Sequence, residues 1–130
     1  AFLLFAQSVF SRFGEIHAVF CDSAEQVLIS HLRATARRSP LPWLAERIYN
    51  SKKSPINDRI RLTSILMGGG RFFYTPEAGT LAEALSAALW SSKGSSKDLR
   101  LDDGTTDIDS LDAFEYTIER DYHSYLKRGT

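Results

Sequence analysis

Along the chain, apolar residues recur at helical spacing in several stretches and form short continuous runs between them. Phe2, Phe5, Val9, Phe10 and Phe13 fall on one side of a helix that Gly14 should end. His17–Cys21 reads as a short apolar strand stopped by Asp22. Ser23, with Gln26 three residues on, can then cap a helix whose inner stripe is Val27, Leu28 and Leu32. The segment Ser39-Pro-Leu-Pro breaks the pattern, and Arg47–Asn50 reads as a second strand. Ser54-Pro55 opens a third helix in the order cap, then proline at the first helical position; Ile56, Ile60, Ile65 and Leu66 form its apolar side and Gly68–Gly70 closes it. Arg71–Tyr74 predicts another strand, and Thr80 with Glu83 a capping box for a helix carrying Leu81, Leu85 and Leu89. Ser91–Ile108 is a polar stretch long enough to suggest a functional loop. A last helix is expected from about Asp109, with Leu111, Phe114, Ile118 and Tyr122 on one face.

Short strands alternating with helices predict an α/β layer with parallel connections, with no internal repeat and no domain boundary within residues 1–130. Ligands of such sheets gather at the C-terminal ends of the strands. Asp22 ends one predicted strand, and Lys52 and Lys53 follow another.

Composition narrows the class. A chain of 130 residues is one ordinary domain. Its 43% hydrophobic and 25% charged residues exclude the disordered and fibrous classes. No apolar run approaches the ~20 residues that span a bilayer, so no membrane partner is expected. Ala1–Ala6 has neither the basic flank nor the cleavage pattern of a signal peptide and reads as part of a helix. Cys21 is the single cysteine, which rules out an intrachain disulfide and points to a reducing, cytosolic setting. An opening Ala-Phe-Leu-Leu in place of Met leads us to expect an excised piece of a longer protein.

The formal net charge of zero hides two opposed stretches. Between Arg33 and Arg61, eight basic residues (Arg33, Arg37, Arg38, Arg47, Lys52, Lys53, Arg59, Arg61) face only Glu46 and Asp58. Between Asp98 and Asp121, nine acids stand against Arg100 and Arg120. Such a pair suits a phosphate-attracting surface beside a cation-holding site, but on charge alone two solvated faces that neutralise each other are the simpler reading.

A carboxylate directly after a buried strand is held at the sheet edge, where a hard cation such as Mg²⁺ or Mn²⁺ binds oxygen ligands. Two-metal phosphodiesterases need about three or four such oxygens converging. Asp22 is one candidate, and Asp109 with Asp112, three apart and on one helix face, supply others. The plainer alternative is helix capping: Asp109 suits an N-cap, Asp112 the first-turn dipole, and Asp22 the cap of the helix after it.

Other chemistry is thinner. Asp102-Asp103-Gly104 resembles a calcium loop, but the spacing would need an acid at Leu99. Cys21 reads as a small buried hydrophobe before it reads as a nucleophile. His17, His31 and His123 have no metal-ligand spacing, and Gly68–Gly70 lacks the Lys-Ser/Thr of a phosphate loop. Arg71 with Phe72, Phe73 and Tyr74 could stack on bases, though a core strand is the simpler reading.

Five segments occur in a fixed order. They are Val19-Phe-Cys-Asp22-Ser-Ala-Glu25, Lys52-Lys-Ser-Pro-Ile-Asn-Asp-Arg59-Ile60, Leu66-Met-Gly-Gly-Gly-Arg71-Phe-Phe-Tyr, Leu85-Ser-Ala-Ala-Leu-Trp90 and Arg100-Leu-Asp-Asp-Gly-Thr-Thr-Asp107-Ile-Asp109-Ser-Leu-Asp112-Ala-Phe-Glu-Tyr116. Over about residues 15–120 they resemble the nuclease domain of the large terminase subunit of tailed phages.

The resemblance implies a ribonuclease H-like mixed sheet with flanking helices. The family's first aspartate lies on a strand that would precede residue 1, so this chain is expected to be a C-terminal, partial domain lacking its first strands. Asp22 matches the second metal-binding aspartate and Asp112 the last. Asp109 stands where many relatives have histidine. Lys53, or its neighbour Lys52, matches a basic position near the scissile phosphate, and Lys52, Lys53 and Arg59 of the same segment are expected to contact DNA.

The implied activity is two-metal hydrolysis of concatemeric duplex DNA with Mg²⁺ or Mn²⁺, Lys53 steadying the phosphate. The implied partners are double-stranded DNA, an upstream packaging ATPase domain, the small terminase subunit and the portal, in the cytoplasm of a bacterial host. Nothing in the chain resembles a base-reading helix. Two other readings stay open: a non-catalytic DNA-binding or assembly fragment of the same fold, and an α/β phosphohydrolase of small phosphoesters.

Overall fold

A computed structural model describes residues 1–91 and 108–127, with the side chains of 88–91 left aside. These residues form two compact units, Ala1–Lys52 and Lys53–Thr130. In order along the chain the elements are α1 (Phe2–Phe13), β1 (Val19–Cys21), α2 (Gln26–Arg37), a 3-10 segment (Pro42–Arg47), β2 (Ile48–Asn50), α3 (Ile56–Gly68), α4 (Gly79–Ser91), α5 (Ile108–Glu119) and α6 (Tyr122–Lys127). The expected α/β character holds in a helix-rich form.

In the first unit β1 and β2 run parallel, with Val19 opposite Ile48, Phe20 opposite Tyr49 and Cys21 opposite Asn50. Parallel strands need a crossover, supplied here by α2 and the 3-10 segment. The core is Ala6, Ile29, Ala36, Leu41, Leu44, Ala45 and Ile48, with Leu3, Val19 and Leu32 among the half-buried residues packed on it. Gly14 ends α1 at φ +86°, a conformation closed to side chains, and donates its N–H to Phe10.

Three expectations for this unit are corrected. The inner line of α2 runs Ile29–Leu32–Ala36, whereas Val27 is 87% and Leu28 51% exposed. The helix starts only at Gln26, and its contacts with the 3-10 segment select the face of Ile29. Along α1 the buried line passes through Ala6, leaving Phe5 and Phe13 exposed while Phe10 tilts against Trp43 at 5.7 Å. The cap expected at Ser23 is also absent: Gln26 Nε2 donates to the Ser23 carbonyl at 2.7 Å.

In the second unit α4 packs on α5 through Ala84, Leu85 and Leu111, with Phe72, Leu81 and Phe114 around them. Leu62, Thr63 and Leu66 are the buried residues of α3. That helix closes on a Schellman motif. Gly70, at φ +65°, donates to Met67 O, and Arg71 donates to Leu66 O at 2.9 Å.

Residues 71–75 are not a strand. Phe72 instead meets the ring of Phe114 edge-on at 5.1 Å, Phe73 is 85% exposed, and Arg71 Nη1 donates to Tyr125 O. Packing of one aromatic on α5 thus overrides the strand preference of the segment. Pro55 occupies the N-cap of α3, which begins one residue later than expected, with no side-chain cap from Ser54. Thr80 lies within the first turn of α4 and not at its cap. The expected last helix is two, α5 and α6, and Tyr122 opens the second. The predicted loop, with Asp102, Asp103 and Asp107, lies outside the described residues.

Candidate functional site

Asp22 stands where β1 gives way to turn, at the C-terminal end of the parallel pair, and is half-buried. Its Oδ1 accepts the N–H of Ala24 at 2.9 Å, and its carbonyl accepts that of Glu25. The end of β2 lies alongside: Ser51 donates its N–H to Cys21 O at 2.7 Å, and its Oγ accepts the N–H of Ser23 at 3.3 Å. Gln26 Nε2 reaches Asn50 Oδ1 at 3.1 Å. Hydrogen bonds therefore tie both strand ends into one polar edge carrying Asp22, Ser23, Gln26, Asn50 and Ser51. The capping alternative for Asp22 is not what forms: the N-cap of α2 is Glu25, without a side-chain cap, and Asp22 instead organises the turn before the helix.

Next to it, burial disfavours the thiolate of Cys21 and pushes its pKa up, against a smaller opposing effect of the Arg33 charge. A nucleophilic cysteine needs the opposite shift.

In the second unit the functional candidates converge on α5. Asp112 Oδ1 accepts from Arg59 Nη1 of α3 at 3.2 Å, and the same nitrogen lies 3.6 Å from Glu115 Oε1. The Arg59 guanidinium sits 5.9 Å from the centre of the Tyr116 ring. Arg59 is nearly buried and its Nε has no hydrogen-bond partner. Asp109, one turn before Asp112, is exposed.

One turn beyond Glu115, Glu119 is also buried, and its two oxygens accept the N–H of Lys53 at 2.8 Å and of Ser54 at 2.9 Å. Lys53 has φ +52° and is the one non-glycine residue with positive φ among those described.

Of the residues singled out by sequence, Arg59 and Asp112 are brought together as an ion pair. Lys53 joins α5 through its backbone, Asp109 stays on the same helix, and Lys52 is exposed at the end of the first unit. Asp22 belongs to the first unit. Carboxylate oxygens are the donors that Mg²⁺ and Mn²⁺ take, so Asp22, Asp109 and Asp112 fit such an ion by chemistry. Among the described residues, however, no three His, Cys, Asp or Glu side chains gather closely enough to share one.

The basic stretch divides into inward and outward members. Arg33 donates through Nε and Nη2 to Ile48 O at 3.1 and 2.7 Å. Arg47 donates to Ile16 O, pairs with Glu15 and lies 4.8 Å from the Trp43 ring centre. Arg37 pairs with Glu46 at the surface. Arg38, Lys52, Lys53 and Arg61 are exposed.

Glu115 and Glu119 are the residues missed by sequence reasoning, which read the acids of this stretch as part of a cation-holding site or of a solvated face. Their signal is spacing: they stand four and eight residues after Leu111 and continue its buried face. None of the described helices is long and apolar enough to cross a membrane. Comparison of the chain with protein-family models, curated proteins and solved structures gave no match.

Proposed function

We propose that the chain is part of a ribonuclease H-like, metal-dependent endonuclease domain of the phage large-terminase type, cutting concatemeric duplex DNA by phosphodiester hydrolysis. The observation that carries this reading is the position of Asp22 at the C-terminal end of a parallel strand, in the first of five segments that follow the order of that family. Asp22 and Asp112 are the metal-holding carboxylates, with Asp109 as a further ligand. Lys53 steadies the phosphate, and Lys52 contributes charge beside it.

A bound Mg²⁺ or Mn²⁺ would supply water activation and offset charge on the leaving oxygen. The water oxygen bonds to phosphorus as the P–O3′ bond breaks, and the released oxygen takes a proton, leaving a 3′-hydroxyl and a 5′-phosphate. The working partners in this reading are duplex DNA, a packaging ATPase domain, the small terminase subunit and the portal, in the cytoplasm of a bacterial host.

A second reading, a non-catalytic DNA-binding or assembly fragment of the same fold, is favoured by the Arg59–Asp112 ion pair, which engages one proposed metal ligand. Nicking of supercoiled plasmid separates the two. Nuclease function requires cutting with Mn²⁺ that EDTA stops and Asp22→Asn removes. DNA retention without metal-dependent cutting would favour the second reading.

A further inference from the structure

Lys53 combines two properties that rarely meet. Its backbone is left-handed at φ +52°, a region lysine avoids because its Cβ crowds the following carbonyl. It is also the residue assigned to the phosphate in the proposed reaction. Strained backbone of this kind persists only where the surroundings over-determine it, and it collects at functional positions.

One side chain meets this backbone directly. Glu119, 2% exposed, accepts the N–H of Lys53 on Oε1 and that of Ser54 on Oε2. Pro55 follows and has no N–H, so the two amides before α3 both end on this carboxylate. A carboxylate taken from water is stable in such a place only when its oxygens are met by donors, and two backbone amides meet one oxygen each. Lys53 itself remains exposed.

We propose that Glu119 is a positioning residue whose carboxylate bridges the amides of Lys53 and Ser54 and so holds Lys53 in its left-handed conformation as a contact for a DNA backbone phosphate. The inference rests on the nuclease reading for the identity of the ligand, and on the bridge alone for the geometry. Glu119 touches neither DNA nor metal in this scheme and acts only through Lys53. Ordering the lysine's backbone before DNA arrives lowers the entropy lost when the contact forms.

The test measures binding of a short labelled duplex DNA in EDTA over a range of salt, with the chain as wild type, Lys53→Ala, Glu119→Gln and the double variant. A single phosphate contact contributes about 0.9 to the slope of log affinity against log salt. Lys53→Ala should lower the slope by that amount, Glu119→Gln should lower it equally, and the double variant should lose no more than either. Backbone amide exchange at Lys53 and Ser54 should be slow in wild type and fast in Glu119→Gln. Glu119→Asp, which keeps the charge but shortens the reach, serves where Glu119→Gln does not unfold cooperatively in urea.

Glu119→Gln that binds with the wild-type slope while Lys53→Ala does not would overturn the positioning role. Unprotected amides in wild type would overturn the bridge, and an unchanged slope for Lys53→Ala would overturn the phosphate contact. Metal-dependent nicking lost in Asp22→Asn is independent of all three, so failure of this inference is separable from failure of the nuclease reading.

Discussion

Arg59 reaches from α3 to α5 and donates to Asp112 at 3.2 Å while lying 3.6 Å from the fully buried Glu115. One guanidinium thus serves a half-exposed carboxylate, assigned above to metal binding, and a buried one, which has no access to solvent.

Removing the cation takes a charge partner from the buried acid. Arg59→Met should cost about 3 kcal/mol of stability, because breaking one side of a buried ion pair costs more than replacing both. The double variant Arg59→Met with Glu115→Met should recover most of that loss. Urea unfolding of both variants checks the pair, and equal losses would assign the effect to packing.

Asp112→Asn keeps an oxygen that can accept from Arg59, so folding should stay near normal. Metal-dependent cutting should be abolished if Asp112 holds a metal. Wild-type cutting by a folded Asp112→Asn chain would remove that residue from the metal site and leave it a structural partner of Arg59.

The basic stretch should separate by experiment into scaffold and surface. Arg33→Lys retains charge but loses the planar fork that grips Ile48 O with two donors, and should cost about 1 kcal/mol with little change in DNA affinity. Arg61→Ala, at an exposed position, should weaken DNA binding and leave the urea midpoint unchanged. The reverse pattern would mean that the inward arginines meet DNA.

At alkaline pH the unfolded chain releases the Cys21 proton before the folded chain does, since burial raises the folded thiol's pKa. The folded state then binds more protons, and stability falls as pH rises through and above the ordinary thiol range of about 8.5. Cys21→Ala should lack this component of the alkaline decline. Urea midpoints of the two proteins across that range provide the comparison, and parallel curves would contradict the shift.

How far the sequence foretold this architecture depends on what each element packs against. Gly14 and Gly68–Gly70 were legible as helix ends because chain geometry alone dictates them. The two observed strands follow from short apolar runs ending in polar residues. Arg71–Tyr74 misled because β-branched and aromatic preference expresses packing, and Phe72 found its partner on a helix. The exposure of Val27 and Leu28 follows from tertiary contacts that periodicity does not contain. Glu115 and Glu119 were hidden by chemistry: charge argued for solvent, while their register argued for the buried face.

The hydrogen bond from Lys53 to Glu119 also imposes an order in time. Pairing at the polar sheet edge joins Ser23 to Ser51 across 28 residues, whereas the lysine waits for a carboxylate 66 residues downstream. During synthesis the early strands can close while the ribosome is still reading the middle of the chain. Lys53 can settle only after α5 has emerged, which makes its backbone a late event in folding although it sits near the midpoint of the sequence.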